Sequence, residues 1–256
     1  MSGSSLRRWQ KRLFGDAPTA LLTILLSALL ITSLVPLLRW GVLNASWQGT
    51  TRADCVAGGA CWVFVKARFG QFIYGLYPVA ERWRADLFMA LIGIAIAGIV
   101  LLRGRWRAPA LTAMLVIFPV LGIWLLAGGY GLTPVETRNW GGLTLTLFMS
   151  IYSALIAVPL GILLALGRQS ELPVIRIISV IFIEFWRGVP IIAVIFLASL
   201  LLPLIMPSGI GIDRLTRAVI GLGLVIAAYI AEAVRGGLQS LPKGQAEAAS
   251  ALGLGY

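Results

Sequence analysis

An all-α integral membrane protein with about six transmembrane helices is predicted by two features of this chain: an excess of apolar residues, and their confinement to long uncharged runs. Hydrophobic residues fill 59% of the 256 positions and charged residues 12%, whereas soluble domains sit near half apolar and a quarter charged. Four of the uncharged runs exceed the roughly 18 residues that mark a bilayer-crossing helix.

The elements follow in order. Ala17–Leu38 is a run of 22 uncharged positions. It is long for the apolar core of a signal peptide and further spans follow it, so a retained helix is expected. Arg7, Arg8, Lys11 and Arg12 precede it and favour a cytoplasmic N-terminus. Residues 39–86 then form a long periplasmic loop, although its six bases run against the usual charge bias. Cys55 and Cys61 lie in that loop, where oxidation persists, and Gly58 and Gly59 between them permit a tight turn. They are either a disulfide or two free thiols. Phe69–Pro78 carries Phe69, Phe72, Tyr74 and Tyr77, and lies either in the outer membrane interface or in a folded loop packed on the spans.

Leu87–Leu102, only 16 residues, counts as the second span because Arg84, Asp86 and Arg103 at its ends can snorkel to the interfaces. Arg103, Arg105 and Arg107 place the next turn in the cytoplasm. Ala108–Val135 (28 residues) is the third span, followed by a short loop with Glu136 and Arg138. Asn139–Gly167 (29 residues) is the fourth, and its Gly and Thr residues allow close helix approach. Leu172–Ile205 is too long to cross straight: as one helix at ~1.5 Å per residue it would measure roughly 51 Å, against a hydrocarbon core of ~30 Å. It is expected to start at the cytoplasmic surface over Leu172–Arg187 and bend near Pro190. The uncharged run Gly188–Ile212 (25 residues) then enters the membrane, with Pro203 and Pro207-Ser208-Gly209 ending it. Ala218–Val234, with Glu232 as its one charge, is the sixth span. Six crossings return residues 240–256 to the side of the N-terminus.

The composition divides the chain into residues 1–138, an extension with three spans and the periplasmic loop, and residues 139–256, which carry the motifs. The net charge of +11 falls between hydrophobic runs rather than on one face, which argues for membrane topology and against nucleic acid. The chain has no histidine and two cysteines, too few ligands for a metal site. No nucleophile–base constellation, Walker motif or repeated pore-lining element is present, so neither an enzyme, nor an ATPase, nor a channel is indicated, and no cofactor is implied.

The last segment, Ser240–Tyr256, is polar, rich in small residues, and follows directly on a span. Pro242 can start a helix and Gly253 can end one. A helix of about ten residues between them would expose Ala246, Ala248, Ala249 and Ala251, and would need partner contacts to hold its shape. It is either a docking element or an ordinary Ala-rich connector.

Glu247, Ala248, Ala249 and Gly253 match a Glu-Ala-Ala-x-x-x-Gly loop. Upstream stand Gly142-Leu143-Thr144-Leu145-Thr146-Leu147, then Glu184-Phe185-Trp186-Arg187-Gly188-Val189-Pro190. Ala228-Tyr229-Ile230-Ala231-Glu232-Ala233-Val234-Arg235-Gly236-Gly237-Leu238 and Pro242-Lys243-Gly244-Gln245 follow in order. Over residues 139–256 the chain resembles the permeases of ATP-binding-cassette importers for polar amino acids (the His/Glu/Gln/Arg/Gly type). The N-terminal extension resembles the larger permease of general L-amino-acid uptake systems of Gram-negative bacteria. That resemblance implies an inner-membrane permease that translocates amino acids, driven by a separate ATPase subunit that docks on the 240–256 loop. It also implies a second, homologous permease forming a heterodimer, and a periplasmic amino-acid-binding protein. Permeation of another small polar solute, or a non-transporting scaffold, is the alternative. The family's loop continues into Ile-x-Leu-Pro and about two more spans, eight in all; this chain stops at Tyr256, so a C-terminally truncated sequence is expected.

Charge within the spans points to a substrate path. Glu232 offers an acid for an ammonium and Arg187 donors for a carboxylate, with Tyr229 on the Glu232 face. Alternatively, Glu184 pairs with Arg187 and Glu232 with Arg235, as ordinary ion pairs at the inner interface.

Overall fold

The computed structural model describes Trp9 and residues 12–102, 104, 107–205, 211–240 and 244–253. Arg7, Arg8, Lys11, Arg103, Arg105, the Pro207-Ser208-Gly209 stop, Pro242 and Lys243 lie outside the described residues. Among the described residues no strand longer than an isolated bridge occurs. Helices fall at all six predicted runs. Four are long and apolar enough to cross a bilayer: Ala17–Leu43, Val79–Leu101, Gly142–Arg168 and Arg214–Gln239. A bent pair, Pro173–Gly188 with Ile191–Ile205, makes a fifth, and the remaining run contains the shorter apolar helix Met114–Ala127.

The chain separates into two compact units, residues up to Gly70 and residues from Gln71 onward. In the first, α1 (Ala17–Leu38) continues as a π turn over Arg39–Leu43. Its start is fixed by the Asp16 N–H donating to Thr19 Oγ1 at 3.1 Å. Beyond it, Cys55 and Cys61 are joined in a disulfide with Cα atoms 5.5 Å apart. The Ser46 N–H donates to Ala60 O at 2.8 Å, and the Trp47 and Trp62 rings stack at 5.5 Å. Asp54 organises the turn before Cys55 by accepting the N–H groups of Thr50 and Thr51 at 2.8 and 2.9 Å. Those two amides hold the Asp54 carboxyl below its ordinary range.

α2 (Trp62–Tyr74) leads into the second unit. There α3 (Arg82–Leu101) and α4 (Arg107–Ala127) form an antiparallel hairpin, with Phe88 stacked on Phe118 at 5.7 Å. α5 (Gly142–Arg168) packs on it through the stacked rings of Phe148 and Tyr152. The Tyr152 O–H donates to Pro119 O at 2.6 Å. The sequence places Arg84 at the membrane interface as a snorkelling flank; the structure instead buries it completely. Its guanidinium lies beside the Tyr77 ring, donates to Thr133 O at 2.9 Å and faces Glu81 at 3.1 Å. The chain folds back at Gly128–Val135 and covers it, a long-range closure that local hydropathy does not encode.

The Gly141-Gly142 pair lets two helices approach, as expected: the start of α5 meets the end of α2. A Cβ on Gly142, whose φ is +59°, would stand 2.3 Å from Phe72 O, and one on Gly75 2.3 Å from Gly141 Cα. Thr144 Oγ1 then donates to Ile73 O at 2.9 Å. The first turn of α5 is thus clamped to residues 72–75.

α6 (Pro173–Gly188) and α7 (Ile191–Phe196, prolonged through Ile205) turn by 98° at the break between them. This is the bend expected at Pro190, which cannot donate and restricts the residue before it. α8 (Arg214–Gln239) starts on Asp213, whose carboxylate accepts the Leu215 N–H at 2.9 Å and the Thr216 N–H at 3.4 Å. α8 runs parallel to α5, and these two share the most extensive helix–helix packing of the fold. Ala157, Ala165, Ala227 and Ala231 are fully buried between and around them, and Ser153 Oγ donates to Val219 O at 3.1 Å. Small side chains let the helices approach closely, and dispersion contacts and interhelical hydrogen bonds hold them where lipid removes the usual hydrophobic drive.

Candidate functional site

α9 (Gly244–Ala251) lies beyond Ser240, the residue that ends α8. Its sequence is Gly-Gln-Ala-Glu-Ala-Ala-Ser-Ala, in which no long apolar side chain anchors it to the bundle. The Leu252 N–H donates to Ala248 O and Ala249 O, the Gly253 N–H donates to Ser250 O at 3.0 Å, and Gly253 has φ +74°. Gly253 therefore ends the helix as its sequence position predicts, in the left-handed conformation that glycine adopts without steric cost. Glu247 and Ala248 are exposed and Ala249 is partly covered. The described helix is eight residues long, and its expected start at Pro242 lies outside the described residues.

Two helical turns before α8 ends, a charged cluster joins three helices. Arg168, the last residue of α5, sets one nitrogen, Nη1, 2.6 Å from Glu232 Oε1 on α8 and 3.2 Å from Glu184 Oε1 on α6. Oε2 of Glu232 accepts from Arg235 Nη2 at 2.7 Å and Nε at 3.1 Å, and Arg187 Nη1 stands 3.8 Å away. Arg235 also donates to Gln239 Oε1 at 3.0 Å, which carries the network into the last turn of α8. The Glu232 side chain is 17% exposed and that of Arg168 25%. Three guanidiniums around one largely covered carboxylate keep it compensated, which such a group requires.

Of the sequence candidates for a substrate path, Arg187 and Glu232 come together here and Tyr229 does not. Tyr229 lies on an outward face of α8, 49% exposed. The expected Glu184–Arg187 pair is replaced by Glu184–Arg168, whereas Glu232–Arg235 forms. Sequence reasoning missed Arg168. It stands 64 positions from Glu232, and the available signal was its place at the end of a long uncharged run, where bases are ordinary.

At the opposite end of α5 and α8 an open cavity of about 850 Å³ is lined by Leu145, Met149, Ile195 and Ala218, with Glu136, Arg138, Asp213 and Arg214 around it. Thr137 Oγ1 donates to Asp213 Oδ1 at 2.7 Å and ties the loop before α5 to the start of α8. The two ends thus differ: a closed charged cluster toward the C-terminal ends of α5 and α8, and an open cavity with mixed charge at their N-terminal ends. Among the described residues no group of His, Cys, Asp and Glu could hold a metal ion.

Residues 157–256, which include α8, the cluster and α9, match the family described as binding-protein-dependent transport system inner membrane component. The chain is 53% identical over 252 residues to the inner membrane amino-acid ABC transporter permease protein YhdY of Escherichia coli, covering 96% of this chain and 68% of that protein. It is 35% identical over 315 residues to the glutamate/glutamine/aspartate/asparagine transport system permease protein BztC of Rhodobacter capsulatus, covering 97% and 73%. A solved amino acid ABC transporter with histidines matches 45% of this chain and 52% of that one, at 32% identity and a TM-score of 0.41. Because the two permease relatives align along nearly all of it, spans and motifs together, the chain belongs to the amino-acid ABC transporter permeases.

Proposed function

We propose that this chain is the membrane-embedded subunit of an ATP-driven amino-acid importer, and that α9 is the helix on which a separate ATPase docks. The observation that carries this reading is α9 itself. It is a short helix with small side chains and one acid, set just past a long span and terminated by Gly253. In isolation eight residues would not hold a helix in water, so its shape is useful only against a partner. Alanines permit close approach, and Glu247 can accept a charge-assisted hydrogen bond from a base on that partner.

The chain is oriented with its N-terminus, the Arg168 cluster and α9 in the cytoplasm, and with the Cys55–Cys61 loop and the 850 Å³ cavity on the periplasmic side. A second, homologous permease completes the pathway, and a periplasmic binding protein delivers the amino acid. Nucleotide binding closes the ATPase pair and moves α9. This shifts the spans between two states only insofar as nucleotide binds those states with different affinity. Hydrolysis belongs to the partner chain.

The test is assembly and sidedness in the full-length complex. Glu247→Arg and Ala249→Trp should each release the ATPase from purified permease while leaving the spans inserted. A cysteine placed at Ala248 should react with a membrane-impermeant maleimide only in inside-out vesicles. Reaction from the outside of intact cells, or retention of the ATPase by both variants, would overturn the assignment.

A further inference from the structure

We infer that Arg168 is the positioning residue through which movement of α9 reaches the other spans; this rests on reading α9 as the ATPase-docking helix. The polar chain is continuous. From the last turn of α8 it runs Gln239, Arg235, Glu232, then across to Arg168 on α5 and on to Glu184 on α6. Arg168 reaches carboxylates on two other helices, Glu232 and Glu184. Arg187 and Arg235 each meet Glu232.

The geometry makes this a close link between the three helices. The 2.6 Å contact to Glu232 lies at the short end of hydrogen-bond length, and both groups are mostly covered. A shift of α8 against α5 that broke it would leave the largely covered Arg168 guanidinium with Glu184 alone, a costly loss for a part-buried charge. The ends of α5, α6 and α8 therefore move together, and a push on the end of α8 is delivered to α6 at Glu184, one turn before the 98° break. A simpler role would need only the charge: a base in the last turn of a helix interacts favourably with its dipole. That role does not require both acids, and the difference is testable.

The experiment uses the full-length permease with its ATPase, partner permease and binding protein in proteoliposomes. It reads amino-acid uptake and ATP hydrolysis together. Arg168→Gln is expected to lower uptake per ATP about tenfold while hydrolysis persists and becomes independent of the loaded binding protein. Arg168→Lys keeps a cation between the two acids and should hold the ratio within about twofold of wild type. If Arg168→Gln lowers thermal stability or yield but the assembled complex keeps the wild-type ratio, the residue is structural and the inference is wrong. Should Arg168→Gln fail to assemble, Glu184→Gln removes only the arm to α6, from a residue more than half exposed. An unchanged ratio there equally overturns the link. Failure of the docking reading is separately visible as retention of the ATPase by Glu247→Arg and Ala249→Trp.

Discussion

Gly161 offers the sharpest test of the α5–α8 interface. A Cβ built on it would lie 2.7 Å from Ile230 Cγ2, 2.8 Å from Ile230 Cβ and 2.8 Å from Ala227 O. The closest of these is about 0.7 Å short of the 3.4 Å at which ordinary contact begins. None of the three can step aside cheaply: one is backbone, and a β-branched side chain in a helix has one strongly preferred χ1. Relief must come from displacing one helix against the other, and overpacking of this kind costs about 1–3 kcal/mol. Against this, Gly→Ala in a helix recovers up to about 1 kcal/mol of backbone propensity. Gly93→Ala in α3 supplies the control, because nothing lies within 4 Å of its Cβ position. The difference between the two variants isolates the clash. In thermal unfolding of the detergent-solubilised full-length protein, at roughly 2–4 °C per kcal/mol for a chain of this size, Gly161→Ala should melt several degrees below Gly93→Ala. If Gly161→Ala melts level with or above Gly93→Ala, the close approach of these helices is not what holds them.

Three further outcomes are expected. Tyr152→Phe keeps the ring stacked on Phe148 but removes the O–H···O bond to Pro119, and should cost about 1 kcal/mol in the same unfolding assay. Replacing Cys55 and Cys61 by serine opens a loop of sequence separation 6. Chain entropy assigns that closure about 2 kcal/mol, read as lost protease resistance in the 44–62 segment without loss of the spans. Asp54 has a folded-state pKa below 3.8, so its contribution to the turn is fully present above that value and is lost as pH falls through the lower, folded value. Hydrogen exchange at the Thr50 and Thr51 amides should accelerate across that acid window, and in Asp54→Asn the window should disappear.

The fold was legible wherever one run of sequence decides one helix. Apolar stretches, uninterrupted except for Glu232 in the last, marked all six helical regions, and the break at Pro190 followed from the missing donor and the excess length of Leu172–Ile205. Gly253 was readable as a helix end because its backbone conformation is itself a local property. What local sequence did not carry is what distant residues do to one another. Arg84 looked like an interfacial flank because the residues that bury it, Tyr77 and Thr133, belong to other segments. The Gly141-Gly142 pair was legible as a close helix contact, but not that its partner is the end of α2 at residues 72–75. Glu232 was visible as a charge inside a span, with Arg235 as its neighbour, but its shortest contact, Arg168, stands on another helix, and no periodicity connects the two.

The niche at Gly161 has a consequence for how this bundle can change shape. Sliding α5 along α8 by one helical repeat, ~5.4 Å, would bring Ala157 or Ala165 to the height of Ile230, and each carries a methyl where only a hydrogen fits. Gliding between these two helices is therefore blocked by a notch and its tooth, and the pair must tilt as a single keel. Whatever rearrangement a transport cycle demands is left to the elbow between Gly188 and Ile191.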